Sequence, residues 1–438
     1  MQIKALKFGG SSLSDAEQFK KAAAIVMAEP SRRYVVVSAP GKRFNGDEKI
    51  TDMLYEAYAI ADEGNDITEI FGRIRSRFED IINGLGIDLD LSAEFEKIYH
   101  SFHHHLGRDF AASRGEYLNG IIFAKYIGYD FIDPSKCIFF KDNGTFDAEK
   151  TNEVLAGKLQ RHERAVLPGF YGAMPNGTIK TFSRGGSDIT GSIVARAANA
   201  DIYENWTDVS GFLMADPRIV QNPKPIDEIT YRELRELSYM GAGVLHEDAI
   251  FPVRAAGIPI NIKNTNRPED RGTMIVPTSD YYNYETVITG IAGKKGLSVI
   301  NIEKAQMNSE IGFARKVLEV LEENEVSFEH LPSGIDTMGI VISDSEIDGK
   351  IDDIIRGITK SVHPDHISVE AGLALIAVVG RGMISAKGTA GRVFRAAATK
   401  GVNIRMIDQG SSEINIIMGV DEADYVRAIE GIYEEFVK

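Results

Sequence analysis

The last third of the chain is written twice. Gly312, Val317, Val326, Gly334, Met338 and Ile340 recur as Gly388, Val393, Val402, Gly410, Ile414 and Ile416, each pair 76 residues apart. A constant offset over such a span marks a duplicated βαβ-type unit. Leu297 to Ile302 and Leu373 to Val378 are the strand-like runs of the two copies. Gly312 and Gly388 each fall between strand and helix, where backbone N–H groups can meet a carboxylate. Units this small bury little surface alone, so they are expected to pack together or against another subunit. A plain dimerisation module would carry the same signature, because a fold does not dictate its function.

A second repetition lies upstream. Ile3-Lys4-Ala5-Leu6 reads as a strand, Lys7-Phe-Gly-Gly-Ser-Ser12 follows it, and Ser14-Asp-Ala-Glu17 has the spacing of a helix capping box. Phe19, Ala23 and Val26 continue at helical intervals until Pro30. Strand, paired glycines and helix start together aim backbone N–H groups at an anion, with Gly9 and Gly10 allowing close approach and Lys7 supplying charge. This is not a Walker A loop, because the Lys precedes the glycines. Taken alone, it could equally be a tight turn. However, Thr178 to Phe182 leads into Ser183-Arg-Gly-Gly-Ser-Asp188 and then Ile189, Ile193, Val194 and Ala197 at helical spacing. Arg184 there can grip a carboxylate or phosphate through two parallel hydrogen bonds. Two such junctions point to a site that handles phosphate.

Between them, Tyr34-Val-Val-Val-Ser38 reads as a buried parallel strand, and Ala39 to Lys49 as a mobile loop ending near Thr51-Asp52. Residues 51–114 are helical in pattern. His100, His103 and His104 could share a helix face, but no Cys or paired carboxylate joins them, so a polar solvent-facing helix is expected and no metal site. Ser113 is the expected N-cap of a new helix with Glu116 in its first turn. Ala165 to Tyr171 and Thr178 to Phe182 flank Pro175-Asn-Gly177 as a hairpin. Ile202 to Trp206, Ile258 to Ile262 and Thr273 to Val276 read as further strands, with a helix over Tyr231 to Met240. Alternating strands and helices predict a largely parallel α/β domain, whose ligands lie at strand C-termini. Its polar end is placed near Thr278 to Asn283.

Composition narrows the function classes. A formal charge of −15 over 438 residues argues against nucleic acid and acidic membrane as partners. The lone Cys137 excludes an intrachain disulfide, no apolar run has membrane-spanning length, and no basic-then-apolar leader opens the chain. A cytoplasmic protein is expected.

Lys7-Phe-Gly-Gly-Ser-Ser12, Ser183-Arg-Gly-Gly-Ser-Asp188, Trp206-Thr-Asp-Val209 and Asp216-Pro-Arg218 together resemble the motif set of aspartate kinases, and Ala242-Gly-Val-Leu-His246 adds a partial match. The duplicated tail resembles the paired ACT regulatory domains of that family. The resemblance spans nearly the whole chain. It implies an amino-acid-kinase fold over residues 1–283, followed by two α+β ACT repeats of ferredoxin-like βαββαβ type, 284–368 and 369–438. It also implies transfer of the ATP γ-phosphate, with Mg²⁺, to the β-carboxylate of L-aspartate. The product would be 4-phospho-L-aspartate, which feeds lysine, threonine and methionine synthesis.

Residue by residue, the resemblance implies that Lys7, Gly9, Gly10 and Asp188 serve the transfer site. Phe8, Ser11, Gly185, Gly186, Ser187, Thr207, Asp208, Asp216 and Arg218 would line the nucleotide. Arg184 would hold the substrate α-carboxylate and Glu116 its α-amino group, with Ser38 and Thr51 also touching substrate. A carboxylate nucleophile needs no general base, so positioning and cationic donors carry such a reaction. The alternative reading of Asp188 is a plain helix cap. In the first repeat, Met307, Ser309, Gly312, Phe313 and Ala314 match an inhibitor site, faced by Ser327, Phe328 and Glu329 across a partner subunit. Glu329 suits lysine as effector, and a homodimer or dimer of dimers is expected.

This chain departs from the family at four places. Gly243 stands where relatives carry a nucleotide-side cation, for which Lys263 is a substitute to be tested. Ser210 and Glu247 replace prolines, and the loop from Ala39 to Thr51 is longer. Two other readings compete with the kinase: a sibling kinase acting on glutamate or acetylglutamate, and an amino-acid sensor that has lost catalysis.

Overall fold

The computed structural model describes residues 2–104, 106–183, 185–242, 250–277 and 287–437. The chain forms two compact units. One comprises Met1–Phe212, Pro225–Tyr231 and Gly243–Ser279; the other comprises Leu213–Lys224, Arg232–Ala242 and Asp280–Lys438.

The first unit alternates strands and helices along the chain. It begins β1 (Lys4–Phe8), α1 (Ala16–Met27), β2 (Arg32–Val37), α2 (Ile50–Asp62), α3 (Thr68–Leu85), α4 (Ser92–His103) and α5 (Arg108–Ile127). There follow β3 (Asp130–Phe131), α6 (Ala148–Leu159), β4 (Ala165–Pro168), β5 (Tyr171–Ala173), β6 (Ile179–Thr181), α7 (Gly186–Ala197), β7 (Ile202–Thr207) and β8 (Glu228–Thr230). After α8 (Tyr231–Tyr239), almost all of which belongs to the second unit, α9 (Phe251–Ala256), β9 (Ile260–Asn264) and β10 (Thr273–Val276) close it. Eight strands form one sheet in the order β3-β4-β2-β1-β7-β9-β10-β8. Every neighbouring pair is parallel except β9 with β10. The largely parallel expectation therefore holds, and β5 with β6 makes the separate hairpin.

Period-two alternation decides what each face of the central strands receives. Leu6, Phe8, Val35, Val37 and Trp206 enter one apolar cluster with residues of α1 to α5. Lys7 and Asn205, paired in register across β1 and β7, turn to the other face, where α7 brings Asp188.

Three local readings change. Ser14 is not the cap of α1: a 3₁₀ turn over Gly10–Leu13 intervenes, and Asp15 accepts the Gln18 N–H at 3.0 Å. Helix α5 begins at Arg108 behind Gly107, not at Ser113, so Glu116 lies mid-helix and buried rather than in a first turn. The segment after β2 is tied down. Buried Arg77 of α3 donates to the carbonyls of Gly41, Glu48 and Ser14 at 3.0, 3.3 and 3.4 Å and pairs with Asp47 at 3.1 Å. One buried guanidinium with five donors fastens the segment.

The second unit holds β11 (Gly290–Glu303), α10 (Phe313–Glu323), β12 (Thr337–Ser343), α11 (Asp344–Ile347), α12 (Ile351–Val362), β13 (His366–Val379), α13 (Thr389–Thr399), β14 (Ile404–Asp408), β15 (Asn415–Asp421) and α14 (Tyr425–Val437). Five strands form an antiparallel sheet in the order β12-β11-β13-β15-β14. The duplication is visible in the backbone, since β11 and β13 begin and end 76 residues apart, as do α10 and α13. The two long strands pair with one another along their length, and each divides at a left-handed glycine, Gly296 and Gly372. Residues 297–303 pair with β12, whereas residues 290–294 lie against the half of β13 that pairs with β15. Each repeat thus takes a strand from the other copy, and a division at 368/369 falls inside β13.

Candidate active site

The site is built where β1, β2, β4 and β7 end. Lys7 Nζ lies 2.6 Å from Asp188 Oδ1 and 3.4 Å from Asn205 Oδ1, and Asn205 Nδ2 donates to Asp188 Oδ1 at 2.9 Å. Lys7 is buried and Asp188 nearly so. Asp188 sits in the first turn of α7 but does not cap it: the N-cap is Gly185, in the left-handed region with φ 60°. The carboxylate is instead committed to positioning the ammonium.

The glycines of the first junction do different work. Gly9 donates its N–H to the Trp206 carbonyl at 3.0 Å, so it is not a free phosphate donor. A Cβ at Gly10 would come within 3.0 Å of the Ala39 carbonyl, and one at Gly41 within 2.6 Å of Gly10 carbonyl carbon. Close approach of two backbones, rather than a cradle alone, explains the pair. Ser11 lies in the 3₁₀ turn after them, and Phe8 is buried beneath. At the second junction, a Cβ on Gly186 would meet the Phe170 ring at 2.5 Å, and buried Ser187 fills the space beside Gly169. Phe170 itself has φ 80°, with its N–H on Thr190 Oγ1 at 3.0 Å. Such backbone strain collects at functional sites.

The substrate side is made by α5, α2 and the end of β2. Glu116 is 5% exposed, its Oε2 has no hydrogen-bond partner, and burial pushes its pKa up to about 8 although the Ala39 N–H favours the charged form. Asn119, one turn on, donates to the Ser38 carbonyl at 2.7 Å, and Ser38 N–H reaches the Phe8 carbonyl at 3.2 Å. Thr51 lies in the first turn of α2, whose Ile50 packs on Gly115 of α5. Arg184 lies outside the described residues, as do Gly243, His246 and Glu247.

On the other strand ends, Thr207 closes β7 and donates from Oγ1 to Asp208 at 3.2 Å. Ser210 links Asp270, Asn264 and Arg267 through its hydroxyl. Asp216 and Arg218 belong to the second unit, where they pair with each other at 2.6 Å. Lys263 lies on the Trp206 face of the sheet. Its ammonium donates to the Asp270 carbonyl at 2.9 Å and lies over the Trp206 ring, on the opposite face from Lys7.

In the first ACT module, Met307, Ser309 and Gly312 form the turn before α10, while Phe313 and Ala314 open the helix. Ser327 and Phe328 lead to Glu329, whose N–H bonds the Val341 carbonyl at 2.7 Å. The register of β11 with β12 puts these two groups at opposite ends of that module's strands, so one chain does not bring them together. Glu329 is instead paired with Lys294 of its own chain at 2.6 Å. Among the described residues no group of three His, Cys, Asp or Glu side chains could hold a metal, and His105 lies outside them. No helix among them is long and apolar enough to cross a membrane.

Sequence reasoning missed Asn119, Asn205 and Phe170. The signals were available for two of them: Asn119 follows Glu116 by three residues in a helical pattern, and Asn205 sits one residue before the Trp206-Thr-Asp-Val209 motif.

A parallel sheet with a lysine-bearing Gly-Gly turn, joined to paired βαββαβ modules, defines a phosphotransferase of the amino-acid-kinase class under ACT-type control. The Amino acid kinase family model matches residues 2–264, and an ACT domain model matches residues 376–436. Aspartokinase 3 of Bacillus subtilis is 40% identical over 453 residues, covering 99% of this chain and 98% of that one. The crystal structure of Clostridium acetobutylicum aspartate kinase superposes with a TM-score of 0.93 at 53% identity over the whole of both chains. E. coli aspartokinase III, crystallised with aspartate and ADP, has the same fold at TM-score 0.76 and 24% identity. The chain belongs to the aspartokinase family.

Proposed function

We propose that this enzyme transfers the γ-phosphoryl group of Mg·ATP to the β-carboxylate of L-aspartate, giving 4-phospho-L-aspartate for lysine, threonine and methionine synthesis. The observation that carries the reading is the presence of an oriented ammonium, Lys7, and a buried carboxylate with one oxygen unpartnered, Glu116, at one set of strand ends. Lys7 stabilises the charge that spreads over the moving phosphoryl group, with Asp188 and Asn205 fixing its position. Mg²⁺ would come with the nucleotide as part of the substrate and would supply further positive charge to the phosphates. Thr207, Asp208 and the Gly185–Ser187 turn face the nucleotide. Glu116 takes the α-ammonium, Arg184 the α-carboxylate, and Ser38 and Thr51 the remaining polar atoms.

The buried carboxylate also separates L-aspartate from acetylglutamate, though not from glutamate. Acetylglutamate carries no free ammonium, so it would leave Glu116 uncompensated, at a cost of about 1–3 kcal/mol. An intact Lys7–Asp188–Asn205 constellation argues against a catalytically dead sensor.

Lysine is the effector we assign to the first ACT module, in a homodimer or dimer of dimers. Glu329 already binds a primary ammonium, that of Lys294, so a free lysine would exchange like for like. Purified protein with Mg·ATP and L-aspartate, trapped by hydroxylamine, tests both parts. An aspartyl hydroxamate suppressed by millimolar lysine supports them. Lysine inhibition that survives Glu329→Ala sinks the effector assignment and leaves the reaction standing.

A further inference from the structure

Two buried oxygens stand unpartnered on one face of α5. Glu116 Oε2 and Asn119 Oδ1 are three residues apart, one helical turn, and neither has a hydrogen-bond partner. Both side chains lie against the same short stretch: the Ala39 N–H acts on Glu116, and Asn119 Nδ2 donates to the Ser38 carbonyl at 2.7 Å. That bond settles the amide orientation, because the flipped side chain would set Oδ1 against a carbonyl oxygen. Asn119 is fully buried. A buried acceptor without a donor is costly, and native structures keep one where a ligand or an ordered water completes it. Once Glu116 is ionised, the two acceptors have no spare donor between them, and they ask for a group with several N–H bonds and a positive charge.

We propose that Asn119 Oδ1 is a second acceptor for the α-ammonium of the amino-acid substrate, sharing it with Glu116 Oε2. The proposal rests on the reading that L-aspartate is the acceptor substrate and that Glu116 meets its amino group. An ammonium has three donors. A single carboxylate oxygen uses one of them, and Asn119 gives a second a fixed direction. Its amide also fixes the Ser38 carbonyl, so recognition of the ammonium and placement of the end of β2 are carried by one side chain. Asn119 is therefore a specificity-determining residue: it rewards a substrate bearing a free amino group and gives nothing to one without.

The test compares L-aspartate with succinate, which keeps both carboxylates and lacks the amino group. Asn119→Leu is close in size and removes both hydrogen bonds; Asn119→Ser is a second variant that leaves room for water if the leucine is not tolerated. Binding of Mg·ADP by calorimetry reports that each variant retains its nucleotide site. The expected result is a KM for L-aspartate raised about 10- to 100-fold, as for loss of a hydrogen bond to a charged group, with the inhibition constant of succinate unmoved. If L-aspartate and succinate weaken in parallel, Asn119 acts only through the Ser38 carbonyl and the proposal fails. If neither changes, it fails as well. Absence of L-aspartate-dependent turnover in the unmodified enzyme would instead overturn the substrate reading itself.

Discussion

The two faces of β1 and β7 treat buried charge in opposite ways. On the face packed with α1 to α5, Glu204 is 3% exposed and saturated: Arg32 Nε at 2.9 Å, Lys4 at 3.3 Å and the Trp206 indole N–H at 3.0 Å all meet its carboxylate. Arg32 also spans the Trp206 ring and donates to the Ile25 carbonyl. On the other face, Lys7 is held by Asp188 and Asn205 but opens toward the strand ends. There, beside the end of β2, Glu116 and Asn119 keep one acceptor each unfilled. Adjacent residues of β7, Glu204 and Asn205, therefore belong to a structural charge cluster and a chemical one. The difference is completeness: a network with every donor and acceptor used holds the sheet, and one left incomplete awaits a ligand.

The comparison can be broken by removing one partner on each side. Glu204→Ala leaves Arg32 and Lys4 buried beside no anion, so unfolding in denaturant should show a loss of about 3–5 kcal/mol, with KM values unchanged in the protein that remains folded. Lys7→Met should do the reverse, lowering kcat about 100- to 1,000-fold with a smaller loss of stability than Glu204→Ala, because Asp188 is partly exposed and keeps the Asn205 N–H. An equal loss of stability in both variants would erase the distinction. Glu116→Gln sharpens it. Burial raises the folded-state pKa of Glu116 to about 8 from an ordinary 4.5, so folded protein holds that proton more tightly than unfolded chain. Its contribution to stability is full below pH 4.5 and is lost as pH rises toward about 8. At that upper pH the glutamine variant, without ligand, should be more stable by about 1–3 kcal/mol yet bind L-aspartate more weakly. The smallest effect is expected at Glu329→Ala, which should change stability by about 0–1 kcal/mol and reveal itself only as lost lysine inhibition.

Much of the fold was legible because it is periodic. The 76-residue repeat located β11, β13, α10 and α13, and apolar runs located β1, β2 and β7. What was not legible depends on contacts between distant segments. The strand exchange between ACT modules turns on Gly296 and Gly372, which look like ordinary glycines in sequence. The start of α5 at Arg108 was hidden because Ser113 is a good cap residue, yet its hydroxyl bonds the Phe110 carbonyl instead. The loop after β2 looked mobile because its own residues are polar; what fastens it is Arg77, on α3. In the site, Lys7 and Asp188 came from motifs, whereas the partners of Asn119 and Asn205 are set only where α5 and α7 meet the strand ends.

The most direct test is the pH dependence of kcat/KM for L-aspartate, followed by ADP release from about pH 6 to about pH 9. This ratio reports ionisations of the free enzyme, and only ionised Glu116 can pair with an ammonium. The account predicts a rise with pH that levels near 8, the value to which burial raises Glu116, and its disappearance in Glu116→Gln. A flat profile in the unmodified enzyme, or no ADP release that depends on L-aspartate, would contradict it.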